Sequence, residues 1–326
     1  MKDILFVATY FNNSHFIEYQ KICFDNIENT YDFIILNDAN PPNHKKPTKS
    51  LLSDTLAYHD IENECKKYNI RHIPLPKNVH THESDGGYIP DGLPLSHPTE
   101  RHRSSINYFN QNYTKLVKKE YKAYVIVDAD LFLKNKINLL DIMGENDMTG
   151  AKVASCIIQQ KIDDKTSYWP KEYKHIKEPI KITWPWPIFI MINLKHKDKI
   201  KDLNIGGLSG TDSGGMIHFF IEKYKLKLGS ISCECGPGTK YIGSEQSDIG
   251  IYDNKEIFVH YRGGSNWDYN SKDFYFEKFY RLFETFFPEI HKNIEYINNH
   301  CKLENIIQTG GEYSFKNGKG FYTKKK

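Results

Sequence analysis

The sequence predicts an α/β fold, a mostly parallel sheet flanked by helices with a helical C-terminal extension, on three observations. Short apolar runs rich in β-branched residues alternate with stretches of helical spacing, the pattern of strands buried on both faces by crossover helices. The first two runs, Ile4 to Ala8 and Phe33 to Leu36, enclose one such helix and make a β-α-β unit. A central run, Tyr124 to Val127, stops abruptly at two carboxylates one residue apart, Asp128 and Asp130. In an open α/β sheet ligands gather beyond the carboxyl ends of the strands, so these acids face the crevice.

Size and composition narrow the function. The 326 residues suffice for one large α/β domain with additions, or for two modest ones. Lys and Arg number 44 against 41 Asp and Glu, a net charge of +3, so no strong field points to nucleic acid or an anionic membrane surface. With 22 Tyr and 19 Phe the chain is rich in rings that can pack against a ligand. The six cysteines include no C-x-x-C pair, which indicates neither a zinc ribbon nor a disulfide framework and suits a reduced, cytoplasmic protein. Ile4 to Ala8 is too short for the apolar core of a signal peptide, and no run approaches the ~18 apolar residues of a membrane span.

In chain order, the strand Ile4 to Ala8 leads through the turn Thr9 to Asn13 into a helix with Ser14 as its expected cap and Phe16, Tyr19, Cys23 and Ile27 on one face. The return strand ends at Asn37-Asp38-Ala39-Asn40. Thr9, Tyr10 and Asp38 are therefore expected together at the carboxyl edge, where an aromatic or hydroxyl group and an acid can hold a nucleoside; the alternative is that Asp38 caps a turn and Tyr10 packs. Ser53 to Asn69 reads as a helix and Ile70 to Leu75 as a strand. The stretch from 78 to 97 is either a functional loop or poorly ordered. Thr99 to Tyr121 reads as one helix, carrying Arg101 and Arg103 near its start, where they either grip a diphosphate or are solvated.

Beyond the acids, Lys152 to Gln160 reads as a strand. Trp184-Pro185-Trp186-Pro187 leads into a further strand, Ile188 to Ile192, which the prolines assign to an entry or edge position. The two indoles either form a platform for a sugar face or pack internally. Gly206 to Gly215 is a glycine-rich loop running into the helix Met216 to Tyr224. In it Asp212 is placed to take a proton from an incoming hydroxyl, or else Thr211, Asp212 or Ser213 caps the helix. Lys225 to Cys233 suggests a strand, and Glu256 to Val259 another that delivers His260, followed by Gly263, Gly264 and Ser265. A histidine at a strand end can complete a cation's coordination while the loop N–H groups meet phosphate. Lys272 to about His300 reads as helical, and Gly310 to Lys326 as a loose tail.

The β-α-β unit, the Arg-bearing helix, the strand ending Asp128-Ala129-Asp130, the Thr211-Asp212 loop and His260, in that order, resemble the GT-A superfamily of nucleotide-sugar glycosyltransferases. The resemblance runs from about Ile4 to Trp267. It implies a GT-A (Rossmann-like) domain over residues 1–270, with a nucleotide-binding half to about 133, an acceptor half from 134 to 270, and a C-terminal extension over 271–326. It further implies Mn²⁺ or Mg²⁺ held by Asp128, Asp130 and His260, with Asp130 the main carboxylate. A nucleoside-diphosphate sugar, UDP-linked as a working expectation, would contact Thr9, Tyr10, Asp38, Arg101, Arg103, Asp128, Ala129, Gly263 and Ser265. Asp212 falls where inverting members carry their base, although Thr211 stands where those often have a second acid. The implied activity is transfer of a hexosyl or pentosyl group to a carbohydrate or glycan acceptor. A nucleotidyltransferase acting on sugar phosphates, or a non-catalytic carbohydrate-binding protein, are the alternatives.

Overall fold

The computed structural model describes residues 2–11, 14–39, 54–76, 79, 98–134, 136–159, 178–208, 211, 214–235, 247–261, 287, 312–316 and 319–323. The elements of the first half are β1 (Ile4–Tyr10), α1 (Phe16–Asp25), β2 (Tyr31–Asn37), α2 (Asp54–Lys67), β3 (Arg71–Pro74), α3 (Pro98–Gln111), α4 (Tyr113–Leu116), β4 (Ala123–Val127) and β5 (Leu131–Leu133). The second half contributes α5 (Leu139–Met143), β6 (Met148–Ile158), β7 (Ile180–Asn193), a 3-10 segment (Leu194–Asp202), α6 (Ile217–Tyr224), β8 (Leu228–Cys235), β9 (Ser247–Tyr252), β10 (Lys255–Tyr261), β11 (Glu312–Lys316) and β12 (Lys319–Thr323).

Ten strands form one sheet in the order β3-β2-β1-β4-β7-β6-β8-β9-β10-β5. Its first four strands are parallel, as the β-α-β reading requires. Every residue of β1 and β4 is buried, because successive side chains feed two different cores. Ile4, Phe6 and Ala8 pack with Phe16, Phe24 and Cys65 of α1 and α2, while Leu5 and Val7 share the opposite core with Ile106 and Phe109 of α3 and Ile217 of α6.

The remainder corrects the expected mostly parallel sheet. Beyond β4 only β6 and β8 pair in parallel, whereas β4-β7, β6-β7, β8-β9, β9-β10 and β5-β10 are antiparallel, so the sheet is mixed with antiparallel pairs in the majority. Nor is β7 an edge strand; it lies between β4 and β6. Its prolines are tolerated because β4 pairs only with Phe189 to Asn193, leaving the Pro185 and Pro187 stretch open on that side. On the other side the β6 register shifts between Gly150 and Ala154.

Three local expectations also change. Helix α1 begins at Phe16 with His15 in the cap position and no side-chain cap bond, so Ser14 contributes only its carbonyl, which accepts from Ile17 N at 3.0 Å. The helix expected over Thr99 to Tyr121 breaks at Asn112, whose side chain donates back to the Tyr108 carbonyl at 2.9 Å. Residues 312–316 and 319–323, expected as part of a loose tail, form the antiparallel pair β11-β12. The helix expected from Lys272 lies outside the described residues, apart from Phe287, which is buried against the first core.

One geometric necessity positions the site. Strands β4 and β5 are consecutive in sequence but six places apart in the sheet, roughly 29 Å if it were flat. Val127 to Leu131 can bridge at most about 14 Å. The sheet therefore curls until its β5-β10 edge returns to the end of β4, and this brings a strand from late in the chain against the Asp128-Ala129-Asp130 turn.

Candidate metal centre

The turn after β4 sits where the curl closes. Asp128 N donates to the Ile188 carbonyl at 2.9 Å, and Tyr261 N of β10 donates to the Asp130 carbonyl at 2.8 Å. His260 pairs in register with Leu131 across β5-β10, so its imidazole lies over the turn. Its Nε2 is 3.3 Å from Asp130 Oδ1 and 3.5 Å from Asp128 Oδ2. Cross-strand from His260 on β9, the wholly buried Asp248 places Oδ2 3.1 Å from Nδ1. That contact sets the ring so that Nε2 faces the two acids.

His102 of α3 approaches from the other side, with Nδ1 2.9 Å from Asp128 Oδ1. Burial disfavours charge on Asp128, but His102 and then His260 outweigh it and hold its pKa well below the ordinary carboxylate range. Burial likewise opposes charge on His260, yet Asp130, with the bonds to Asp128, Asp130 and Asp248, lifts its pKa well above the usual histidine value. Asp130 is buried, while the Asp128 side chain keeps 26% of its surface exposed and gives the cluster its opening.

The donor set fits a divalent cation. One ligand atom from each of Asp128, Asp130 and His260 lies within 4.8 Å of the others. The two measured Nε2 to carboxylate distances are close to the spacing of neighbouring ligands around one ion, roughly 3 Å for bonds of about 2.1 Å. Two hard carboxylates with one imidazole suit Mn²⁺ or Mg²⁺ more than a thiolate-seeking metal, and the Asp248-His260 pair is the arrangement that orients a ligating imidazole.

The other anticipated residues separate into groups. Thr9, Tyr10 and Asp38 do meet: Asp38 N donates to the Tyr10 carbonyl at 2.7 Å, and all three are buried. The Tyr10 hydroxyl is turned inward, 2.8 Å from Gln20 Oε1 and 3.2 Å from the Ala129 carbonyl, and burial raises its pKa far above the ordinary value. Thr9 Oγ1 is buried with no hydrogen bond among the described residues. Arg103, on the same helix as His102, is buried and its Cδ packs where a side chain on Gly206 would stand. Arg101 belongs to α3, with its side chain outside the described set; Asp212, Gly263 and Ser265 lie outside the described residues altogether.

The described end of the glycine-rich stretch lies against β7. Gly214 has φ +98°, and a Cβ there would stand 2.9 Å from Cδ1 of the buried Trp184, so glycine lets the backbone at this position lie directly on the indole. Trp186 is half-exposed with Lys152 Nζ 4.1 Å from its ring centroid. Three residues of the centre had no motif to announce them: His102 stands between two arginines that drew the eye, and Asp248 and Gln20 sit in stretches without any metal-ligand spacing.

A cavity of about 780 Å³ lies at the opposite, amino ends of β1 and β2, lined in part by Lys2, Lys21, Tyr31, Asp32, Arg71 and Tyr121. Several of its charges satisfy one another, Lys2 and Lys119 on Asp32 and Lys21 on Asp25. None of Asp128, Asp130 and His260 lines it.

No family model matches the sequence, and no curated protein does. Among solved structures, the galactosyltransferase LgtC in complex with donor and acceptor sugar analogs is similar at 10% identity, over 70% of this chain and 72% of that one, with a TM-score of 0.33. A197 from STIV is similar at 10% identity, over 80% of this chain and 94% of that one, with a TM-score of 0.29. Similarity at these scores carries no functional weight. No described helix is long and apolar enough to cross a membrane.

Proposed function

We propose that this chain is a metal-dependent glycosyltransferase that moves a sugar from a nucleoside-diphosphate donor to a carbohydrate or glycan acceptor. The observation that supports it above all is the convergence of Asp128, Asp130 and His260 from two distant parts of the chain on one small volume at a sheet's carboxyl end. A divalent cation bound there supplies positive charge against the diphosphate that departs with the glycosidic bond.

The chain's own groups have separable tasks. Asp130 and His260, held in place by burial, would be ligands of that cation, and Asp248 keeps Nε2 turned toward the two acids. Asp128, partly exposed, would hold the cation with the oxygen that faces His260, while His102 lies against its other oxygen. Thr9 Oγ1 near the end of β1 and His102 Nε2, both buried and without a hydrogen bond among the described residues, are polar atoms proposed for the donor's nucleoside and phosphates. Asp212 is proposed as the base that takes the acceptor's proton, in an inverting reaction.

Incubation with a panel of nucleotide sugars and Mn²⁺ tests the reading. Sugar-dependent release of nucleoside diphosphate, lost in Asp130→Ala, is expected; pyrophosphate release in a parallel incubation with a nucleoside triphosphate and a sugar phosphate marks a nucleotidyltransferase instead, and no release in either marks a binder. Asp212→Asn should keep donor affinity and lose about 10²-fold or more in rate.

A further inference from the structure

The turn that carries the two acids has no regular secondary structure and keeps one main-chain bond of its own, Leu131 N to the Asp128 carbonyl at 3.2 Å, so its other main-chain groups need partners from elsewhere. Gln20, wholly buried on α1, supplies two: its Nε2 donates to the Asp128 carbonyl at 2.6 Å and to the Leu131 carbonyl at 2.9 Å. The Gln20 Oε1 accepts from the Tyr10 hydroxyl at 2.8 Å, and that hydroxyl also lies 3.2 Å from the Ala129 carbonyl. The fourth carbonyl, of Asp130, takes the Tyr261 N–H next to His260. Gln20 thus ties down the carbonyls of Asp128 and Leu131 and the Tyr261 N–H that of Asp130, while the Tyr10 hydroxyl, whose single proton goes to the nearer Gln20 Oε1, holds the donating amide in place and lies against the Ala129 carbonyl. A flipped amide would set oxygen against two carbonyls, so the network admits one orientation of Gln20.

The geometry points to Gln20 and Tyr10 as positioning residues that set the cation affinity of the centre, by holding Asp128 and Asp130 at the separation and orientation found here. The inference rests on the metal reading above. It gives Tyr10 a task distinct from nucleoside contact. Neither side chain touches the ion; both act through the main chain whose side chains do.

The test is Mn²⁺ titration of the full chain followed by electron paramagnetic resonance, with melting temperature recorded in parallel. Gln20→Leu is expected to weaken Mn²⁺ binding about 10–100-fold, the range for outer partners of metal ligands. Tyr10→Phe keeps both Gln20 donations and is expected to lose less, about 5-fold, the equivalent of one neutral hydrogen bond. Tyr124→Phe is the control, since it removes a comparable buried bond, Tyr124 hydroxyl to Asn110 Oδ1 at 3.0 Å, from the opposite face of β4. It should lower the melting temperature and leave Mn²⁺ affinity unchanged. Should Gln20→Leu not fold, the comparison of Tyr10→Phe with Tyr124→Phe decides. Wild-type affinity in the folded Gln20 and Tyr10 variants, or a loss shared equally by Tyr124→Phe, overturns the proposal. Absence of binding to the wild type overturns the metal reading and this inference with it.

Discussion

His260 and Asp248 face one another across adjacent antiparallel strands, with Nδ1 and Oδ2 3.1 Å apart in a region closed to solvent. The pairing fixes which imidazole nitrogen reaches Asp128 and Asp130. Asp248→Asn preserves the shape but removes the charge that supports His260. It is expected to weaken Mn²⁺ binding about 10–100-fold and to lower the His260 pKa, read by calorimetry and by an NMR titration of the ring protons.

Cation binding should strengthen as pH rises. The folded pKa of His260 lies above the ordinary 6.5, so in the metal-free protein Nε2 carries a proton that a cation must displace. The stabilisation from this charged ring is fully present below about 6.5 and is lost as pH rises through the raised folded value. For Asp128 the sign is opposite: its contribution is present above the ordinary 3.8 and is lost as pH falls through the depressed value. Between those limits metal-free melting temperatures should be highest. Calorimetry near pH 6 in buffers of different ionisation heat should show proton release on Mn²⁺ binding, and buffer-independent heats would contradict it.

The curl that closes the sheet has a steric requirement at Gly250, beside Asp248 on β9. A Cβ at this position would stand 2.2 to 2.5 Å from three atoms of the Phe258 ring, which is itself fully buried. The ring cannot retreat without disturbing the core. Gly250→Ala is expected to cost about 1–3 kcal/mol in urea unfolding and to weaken Mn²⁺ binding as β10 shifts; an unchanged midpoint would show that the strands separate freely.

Much of the first half was legible because local pattern decides it. The apolar runs at Ile4 and Phe33 enclose a helix of regular spacing, and Asp128 and Asp130 follow an apolar run at a length typical of a buried strand. His260 was legible as a strand-end histidine for the same reason. What was hidden depends on pairing between distant segments. Nothing local says that β7, with two prolines, enters the sheet beside β4, or that Ser247 to Tyr252 pairs at all, since its Ser, Asp and Gly dilute the strand signal. Asp248 and Gln20 acquire their tasks only through that pairing and the packing of α1. The β11-β12 pair is a different matter. Asn317-Gly318 between Phe315 and Phe321 is a strong hairpin signal, and the surrounding lysines and glycines obscured it.

The most direct measurement is anomalous diffraction from a crystal soaked in Mn²⁺. A single strong peak bounded by Asp128, Asp130 and His260, absent from Asp130→Ala, is the expected result. A peak at some other set of ligands, or undiminished density in the variant, would contradict the assignment.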